Sequence, residues 1–179
     1  EQAGRVKAVA FDKTGTLTTG EPVVTDILPA PGYTAGEVLR LAGSVEIGSE
    51  HPLAGAVLKA AAARQLELLP GTGYAAVVGR GARALLQGRW HYVGSAAFFE
   101  QDLGLSLQDW EGKIAELETE GKTVILVGTE AEVAGLIACG DRPLETSRGT
   151  VAALKGLGRK TVMLPGDNPR TAQALAAEL

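Results

Sequence analysis

Cysteine, aromatic side chains and long apolar runs are all scarce in this chain of 179 residues. The single cysteine, Cys139, excludes an internal disulfide framework and a multi-cysteine metal site, and we expect it to be a small buried residue in a protein of a reducing compartment. Aromatic residues make up 4% of the chain, which is few for a surface that stacks nucleic-acid bases. No apolar run approaches the roughly 20 residues that a membrane-spanning helix needs, so we expect this piece to be soluble.

Positive charge is not in excess either. The 17 Lys and Arg against 21 Asp and Glu give a formal charge of −4, which argues against a nucleic-acid partner. Apolar residues at 45% and charged residues at 21% are the proportions of a folded protein with a core. The length permits one domain, or a small domain plus part of another. Because the chain begins without Met, close to its first apolar stretch, we expect a piece of a longer protein. We also expect this piece to be monomeric.

The first third of the chain predicts a strand and then two helices. The apolar run at 6–11 is short and ends at Asp12 and turn residues, which favours a buried strand. Thr34 and Glu37 have the spacing of a capping box at the start of an amphipathic helix. Pro52 is a favoured first helical residue and predicts a second helix.

The remaining two thirds predict a sheet and then a βα alternation. Residues 71–94 alternate short β-prone pieces with glycine, which predicts a meander. Ser106 and Asp109 have the spacing of a second capping box and predict a third helix. The rest predicts, in order, strands at 123–128 and 133–138, a helix at 147–157, a strand at 159–164, and a helix at 169–179 that Asn168 caps.

The βα alternation at the C-terminal end requires a parallel sheet, and the strand at 6–11 is the natural partner of the strand at 159–164. More than a hundred residues separate these strands. The fold class is therefore α/β, with one α/β domain interrupted by an inserted α+β domain. We expect the chain to cross between the two domains near 18–21 and near 138–141.

Asp12 begins the segment DKTGTLT, just beyond the first strand. Lys13, Thr14 and Gly15 follow, and small residues here let backbone N–H groups surround an anion beside the carboxylate. Such an aspartate can attack a γ-phosphoryl group and form an acyl phosphate, with a divalent cation offsetting the charge. On composition alone, a plain turn at Asp12 is the alternative.

The full string FDKTGTLT resembles the phosphorylation motif of P-type ATPases. The string GSEHPLAGAVLKAA is similar to an element of their heavy-metal-transporting branch, and DRPLETSRGTVAALKGLGRKTVMLPGDNPRTA is similar to the stretch through their T-G-D-N motif. These strings occur in the family's order and span nearly the whole chain. The resemblance implies a partial haloacid-dehalogenase-like Rossmannoid phosphorylation domain at 1–20 and 140–179. An α+β nucleotide-binding domain with an antiparallel sheet would be inserted at 21–139.

The resemblance also implies a set of site residues and ligands. Asp12 would be the phosphorylated residue, with Lys13 and Thr14 in the same catalytic motif, and ATP and Mg²⁺ would be bound, the ion at Asp12 and Thr14. His51 would stack on a purine or hydrogen-bond to it, and glycines would let backbone approach a flat ring. The residues expected around the nucleotide are Glu46, His51, Gly71, Gly73, Gly94 and Ser95. Those expected at the hinge and phosphoryl region are Asp141, Arg142, Gly166, Asp167 and Asn168.

The whole protein implied by the resemblance is an integral membrane protein with this part on the cytoplasmic side of the cell membrane. It would move a heavy-metal cation, such as copper or zinc, that binds elsewhere in the protein. The string AFDKTGTLT favours zinc, cadmium or cobalt relatives over copper ones.

The sequence departs from the family's pattern in ways that bear on activity. Ser95 follows Gly94 where Asn is usual, which predicts slightly weaker nucleotide binding. Pro165 stands in LPGDN where a threonine hydroxyl would contact the transferred phosphoryl group, and proline has neither a hydroxyl nor a backbone N–H. The chain also ends before the lysine and the G-D-G-x-N-D element that complete the family's magnesium site. We therefore predict that this piece binds ATP and does not turn it over at a useful rate.

Other functions fit the sequence less well. The triplet GKT at 121–123 lacks the earlier glycine of a P-loop and predicts a turn into a strand. A dinucleotide fingerprint can be forced from Gly79, Gly81 and Ala84 with Glu100 as the ribose acid, but the residues that follow predict a hairpin instead of a helix. A haloacid-dehalogenase-type phosphatase usually has D-x-D-G, whose second aspartate Thr14 replaces here. A stand-alone nucleotide-binding module is the non-enzymatic alternative.

Overall fold

Local sequence signals place most helices and strands of this chain where a computed structural model has them. The structure describes residues 6–164 together with 170, 171 and 173. The strands are β1 (Ala8–Asp12), β2 (Val23–Pro29), β3 (Gly71–Val77), β4 (Gly81–Leu86), β5 (Arg89–Gly94), β6 (Thr123–Gly128), β7 (Val133–Gly140) and β8 (Lys160–Leu164). The helices are α1 (Ala35–Glu46), α2 (Pro52–Ala63), α3 (Glu111–Thr119) and α4 (Glu145–Gly156), with π-helical turns at Lys13–Leu17 and Phe98–Asp102.

Strand β1 pairs with β8 in parallel, in a register that runs from Ala8↔Lys160 to Asp12↔Leu164. This confirms that the first strand and the late strand are partners. Within the described residues this parallel sheet has two strands. Leu17 and Val151 form a small buried cluster beside it, against which Phe11 and Met163 pack.

The described part of the chain also forms a six-stranded antiparallel sheet, in the order β2-β7-β6-β5-β4-β3. The meander predicted over 71–94 is confirmed as the successive hairpins β3-β4-β5. Strand β2, which opens the sheet, pairs with β7, which closes it, from Val23↔Gly140 onward. The chain therefore enters and leaves this sheet at adjacent strands, as an inserted segment must.

Both faces of the antiparallel sheet are covered by apolar side chains. On one face, buried residues of α1 and α2, such as Leu39 and Val57, pack against residues such as Ile125. On the other face, Phe99 and Leu117 pack against residues such as Leu126. Neighbouring residues of β6 belong to opposite faces because successive side chains of a strand alternate.

Cys139 lies in the first of these clusters, with 2% of its surface exposed, so the prediction of a small buried cysteine is confirmed. Burial raises the pKa of its thiol to about 12. The thiol is therefore protonated at neutral pH and packs as an apolar group.

The capping box predicted at the start of α1 is confirmed. The Glu37 N–H donates to Thr34 Oγ1 (3.2 Å), and the Thr34 N–H donates to Glu37 Oε2 (2.7 Å). The prediction that Pro52 is the first residue of α2 is also confirmed. The helix predicted at 147–157 is α4, which begins two residues earlier. The predicted cap Asn168 lies outside the described residues.

The capping box predicted at Ser106 and Asp109 is wrong. Helix α3 begins at Glu111, after Trp110, whose side chain makes no capping hydrogen bond. The physical reason is Leu107, which is 2% exposed and holds a turn of its own. Its carbonyl accepts from the N–H groups of Trp110 and Glu111, so this turn leads into the helix, while Ser106 Oγ accepts from the Gln108 N–H (3.5 Å) and not from that of Asp109. None of the helices in the described ranges has the length and apolarity to traverse a bilayer.

Candidate functional site

A cavity of about 510 Å³ opens where β5 leaves its neighbour β6. Strand β5 pairs with β6 from Tyr92↔Gly128 to Gly94↔Leu126 and then turns away, while β6 extends back to Thr123. The gap is lined by the α1–α2 junction, the β3–β4 turn, the end of β5, the first half of β6 and one side of α3. Because α1 and α2 cover one face of the sheet and α3 covers the other, the cavity reaches from one face to the other.

The structure brings four of the six residues expected around a nucleotide to this cavity: Glu46, His51, Gly94 and Ser95. Glu46 is the last residue of α1, and His51 directly precedes α2. Gly94 ends β5 and Ser95 follows it. Residues almost fifty positions apart in the sequence therefore share one surface.

Glu46 is an unusual residue for a cavity wall because it is 7% exposed. Among the described residues, its Oε2 atom has no hydrogen-bond partner. Burial raises the pKa of this carboxyl above its ordinary value, and a hydrogen bond from Ser49 and the nearby His51 partly oppose that shift. A buried acceptor without a partner costs free energy, and a ligand that donates a hydrogen bond would remove that cost.

His51 has a structural role that also fixes its chemistry. The side chain caps α2, since Nδ1 accepts from the Leu53 N–H (3.2 Å). This contact requires the tautomer in which Nδ1 carries no proton, so neutral His51 has its proton on Nε2. The side chain is exposed at the cavity and offers Nε2–H as a donor. The helix-start role and the ligand role predicted for His51 are therefore compatible.

Gly94 and Ser95 meet the β3–β4 turn at close range. A Cβ at Gly94 would lie 2.4 Å from the Arg80 carbonyl oxygen, so a larger residue would push the turn away. The Ser95 N–H donates to the same carbonyl (2.9 Å), and Ser95 Oγ accepts from the Phe98 N–H (3.3 Å). Ser95 therefore also caps the turn that follows it.

Gly71 and Gly73 lie elsewhere and do not line the cavity. Strand β3 has a register shift between Thr72 and Ala75, where Gly73 adopts φ +64°. A Cβ at Gly73 would lie 2.8 Å from the ring of Trp90. Gly73 does allow backbone to approach a flat ring, but that ring is the indole of Trp90.

Sequence reasoning missed the β3–β4 turn itself. Gly79, Arg80 and Gly81 all line the cavity. A Cβ at Gly81 would lie 2.0 Å from the Val93 carbonyl oxygen, so this position also requires glycine. The signal for this turn was the pair of glycines in GRG, Gly79 and Gly81, which also fit a forced dinucleotide fingerprint. The hairpin prediction that displaced the fingerprint is confirmed, since Gly81 begins β4.

Asp12 ends β1 with an exposed side chain. The register places it beside Leu164, the last residue of β8, so the segment LPGDN begins at the same edge of the parallel sheet. Carboxyl ends of parallel strands are where α/β sheets bind ligands. Gly15 follows Asp12 with φ +72° in the π-helical turn. The side chains of Lys13 and Thr14, and all of Pro165, Gly166, Asp167 and Asn168, lie outside the described residues.

Asp141 joins the segments that enter and leave the antiparallel sheet. Its Oδ2 accepts from Thr18 Oγ1 (2.5 Å), and its Oδ1 accepts from Thr19 Oγ1 (2.9 Å). The Thr19 N–H also donates to the Arg142 carbonyl (2.9 Å). We refer to these contacts of Thr18 and Thr19 with Asp141 and Arg142 as the crossing clamp. The residues expected at a hinge are thus in contact with the other crossing segment.

No group of three or more His, Cys, Asp or Glu side chains that could hold a metal occurs in the part of the chain that the structure describes. Mg²⁺ does not need such a group, because it commonly binds through one or two carboxylates together with substrate phosphates. The exposed carboxylate of Asp12 fits that mode of binding.

The fold and the site define the class of protein. The family pattern of haloacid dehalogenase-like hydrolases matches residues 6–179, and the chain belongs to this family. It is 42% identical over its full length to the zinc/cadmium/lead-transporting P-type ATPase of Escherichia coli (strain K12), covering 24% of that protein. It is 40% identical over 99% of its length to the copper-exporting P-type ATPase of Bacillus subtilis (strain 168), covering 22% of it. The chain thus spans about a quarter of the curated relatives it matches.

Solved structures give the same answer. The crystal structure of a zinc-transporting PIB-type ATPase matches 99% of this chain at 42% identity and a TM-score of 0.69, over 28% of its own length. The catalytic domain of the CPx-ATPase CopB-B, whose structure describes conformational changes upon nucleotide binding, matches 98% of this chain at 25% identity and a TM-score of 0.71, over 58% of its length. The resemblance to heavy-metal P-type ATPases is confirmed, and these similarities favour it over a phosphatase.

Proposed function

We propose that this chain is the ATP-binding and phosphorylation portion of a P-type ATPase that couples ATP hydrolysis, through an aspartyl phosphate at Asp12, to transport of a heavy-metal cation. The observation that carries the proposal is the cavity at which Glu46, His51, Gly94 and Ser95 meet. ATP is the substrate that these groups suit, and transport is assigned to the rest of such a protein. This portion would lie on the cytoplasmic side of the membrane, where ATP is available.

The groups on the cavity wall suit the base and ribose of the nucleotide. The unpartnered Oε2 of Glu46 can accept from the exocyclic amine of adenine, a donor that guanine lacks at that position. His51 Nε2–H can donate to a ring nitrogen or to the ribose. The backbone of Gly79 and Gly81 can approach the ligand closely, which makes these glycines better candidates than Gly71 and Gly73.

At the parallel sheet, the Asp12 carboxylate would attack the γ-phosphorus of ATP, the bond from that phosphorus to the bridging oxygen would break, and ADP would leave. Thr14 and Asp12 would hold Mg²⁺ with the phosphate oxygens. The ion supplies neutralisation of the phosphate charge. Of the two metal classes among the relatives, AFDKTGTLT favours zinc, cadmium or cobalt as the transported cation over copper.

A nucleotide bound in the cavity must be brought to Asp12, which lies on the other sheet. We propose that residues 21–139 form a nucleotide-binding domain, that residues 1–20 and 140–179 belong to a phosphorylation domain, and that the crossing clamp is the hinge between them. Two short adjacent connections are the usual geometry of hinge closure. The structural change that the CopB-B catalytic domain undergoes on nucleotide binding supports such movement.

The binding site is tested by calorimetry with ATP and the full 179-residue chain. We expect a dissociation constant of about 0.1 to 1 mM, little changed by removal of magnesium, since the contacts address base and ribose. His51→Gln should weaken ATP about fivefold to tenfold through the lost donor geometry. The matched control is His91→Gln on β5, whose Nδ1 lies 3.0 Å from the Arg89 carbonyl and which does not line the cavity. Equal effects of the two substitutions would contradict the proposed site.

Gly73→Ala tests whether Gly73 is needed for the fold or for binding of the nucleotide. We expect it to destabilise the chain by about 1 to 2 kcal/mol, because a Cβ at φ +64° is strained and meets Trp90. Its affinity for ATP should stay within about twofold of the unsubstituted chain. Weaker ATP binding with an unchanged free energy of unfolding would show that Gly73 belongs to the nucleotide site.

A further inference from the structure

Two residues that follow the GDN segment contact Glu118, which lines the cavity, and Lys122, which precedes the lining residue Thr123. Arg170 Nη1 lies 3.2 Å from Glu118 Oε2. The next residue, Thr171, donates from Oγ1 to the Lys122 carbonyl (3.1 Å). Both are helical residues, so the two contacts fix one short piece of chain against the end of α3 and the start of β6.

Glu118 and Thr123 line the cavity. Glu118 is a residue of α3, which packs on one face of the sheet, whereas Glu46 ends α1 and His51 precedes α2, and these two helices pack on the opposite face. A ligand whose base meets Glu46 and His51 therefore extends through the gap in the sheet toward Glu118. For a nucleotide, the part that extends is the polyphosphate.

The charge at that end of the cavity does not suit a polyphosphate unless the Arg170–Glu118 pair changes. Glu118 is a carboxylate with 11% of its side chain exposed, and it would repel phosphate. Arg80 also lines the cavity, and its guanidinium is paired with Asp102 at 3.3 Å. Arg170, whose side chain is 59% exposed, adds a guanidinium next to the unfavourable carboxylate.

We propose, on the basis of the nucleotide-binding function proposed above, that Arg170 is a positioning residue for the nucleotide polyphosphate. Without a bound nucleotide the Arg170 guanidinium pairs with Glu118, and when a nucleotide binds, phosphate replaces Glu118 as its partner. The contact of Arg170 with Glu118 runs from Nη1 to Oε2 at 3.2 Å, and the Arg170 side chain is 59% exposed, so its guanidinium can turn toward phosphate. Arginine binds phosphate through two parallel hydrogen bonds, which are stronger. The exchange from Glu118 to phosphate is therefore favourable, and it ties occupation of the cavity to the segment that follows GDN.

The test compares ATP with AMP, because only the polyphosphate of ATP would reach Arg170. The full chain is titrated with each nucleotide by calorimetry without magnesium, and folding of each variant is checked by thermal unfolding. Arg170→Gln should weaken ATP about tenfold and leave AMP unchanged, and Arg170→Lys should recover part of the loss. Glu118→Gln should tighten ATP by about twofold to fivefold, because the competitor of phosphate is removed. The matched control is Glu116→Gln. Glu116 lies on the same helix as Glu118, and its carboxylate pairs with Lys113.

The outcomes separate this proposal from the one it rests on. If the unsubstituted chain binds neither ATP nor AMP, the nucleotide site itself is wrong. If it binds both and Arg170→Gln leaves the ratio of their affinities unchanged, or weakens both equally, the positioning role is overturned while the nucleotide site stands. A Glu118→Gln variant that binds ATP more weakly would overturn the exchange, because Glu118 would then contribute to binding.

Discussion

The antiparallel-sheet region (residues 23–140) and the parallel-sheet region (β1, α4 and β8) differ most in how much apolar surface covers them. Large buried clusters lie on both faces of the antiparallel sheet. Beside the parallel sheet, the described buried cluster consists of Leu17 and Val151 with partly buried neighbours. Within the described ranges, this sheet has two strands.

The cavity proposed to bind ATP and the aspartate proposed to be phosphorylated lie in different regions of this comparison. The cavity lies in the region with large buried clusters, so its shape is held by packing, while Asp12 ends β1 of the parallel sheet. Under the hinge proposed above, the region around the cavity would keep its geometry while the region around Asp12 moves relative to it. Four experiments would test this contrast, taken here from the largest expected effect to the smallest.

Phe99→Ala compared with Phe11→Ala tests the contrast in packing directly. Phe99 is fully buried and contacts Phe98 edge-on, so its truncation should cost about 3 to 5 kcal/mol in the free energy of unfolding. Phe11 is partly buried beside the small cluster and should cost less than half of that. Trp90 and Trp110 both lie in the antiparallel-sheet region, so urea unfolding followed by tryptophan fluorescence reports on that region. A larger fluorescence-detected loss for Phe11→Ala would contradict the contrast.

Asp12 should remain unphosphorylated when this chain is incubated with radiolabelled ATP and Mg²⁺. Pro165 cannot supply the hydroxyl that the family's threonine offers, and loss of one such donor slows a reaction about 10²- to 10³-fold, or roughly 3 to 4 kcal/mol. The measurement is acid-stable, hydroxylamine-sensitive label on the protein. Label that appears on the unsubstituted chain and is absent from Asp12→Asn would show that the chemical part is complete enough to react.

Asp141→Ala should loosen the crossing clamp. Removing the carboxylate takes a partner from the buried Thr18 hydroxyl as well as from Thr19, which should cost about 1 to 3 kcal/mol. Hydrogen exchange should rise at residues 17–19 and 141–144 and stay unchanged in β6. The exposed Asp109 provides the control, since Asp109→Ala should stay within about 0.5 kcal/mol of the unsubstituted chain. Faster exchange in β6 for Asp141→Ala would mean that the clamp also holds the antiparallel sheet.

Glu46→Gln should make the antiparallel-sheet region more stable at neutral pH, by about 1 kcal/mol, because it removes the charge of a buried carboxylate whose Oε2 has no hydrogen-bond partner among the described residues. Burial raises the pKa of Glu46 above 4.5. The stability associated with its protonated form is therefore complete below pH 4.5 and is lost as the pH rises through the folded-state pKa. The gain from Glu46→Gln should consequently grow from about pH 4 to about pH 7 in urea unfolding. Glu50→Gln, at an exposed carboxylate, is the control, and an equal gain at both pH values would refute the assignment.

Much of the fold could be predicted because its signals are local. The run TVILVG is β6 as predicted, and the capping box at Thr34 needs residues only three positions apart. The partnership of β1 with β8 followed from the βα alternation, which is also a sequence pattern. The start of α3 was predicted wrongly, because a turn at the buried Leu107 precedes the helix. Burial depends on contacts with distant residues, which no local pattern contains.

The candidate site divides in the same way. The sequence by itself determined the chemical groups: the carboxylate of Asp12 after a strand, the histidine before α2, and the glycine that ends β5. Only the tertiary structure decided which glycines face the cavity, since Gly73 packs against Trp90 while Gly81 meets the end of β5. It also decided that Glu118 meets Arg170, 52 residues away. Backbone conformation is set by near neighbours in the chain, but a pocket forms between segments that only packing brings together.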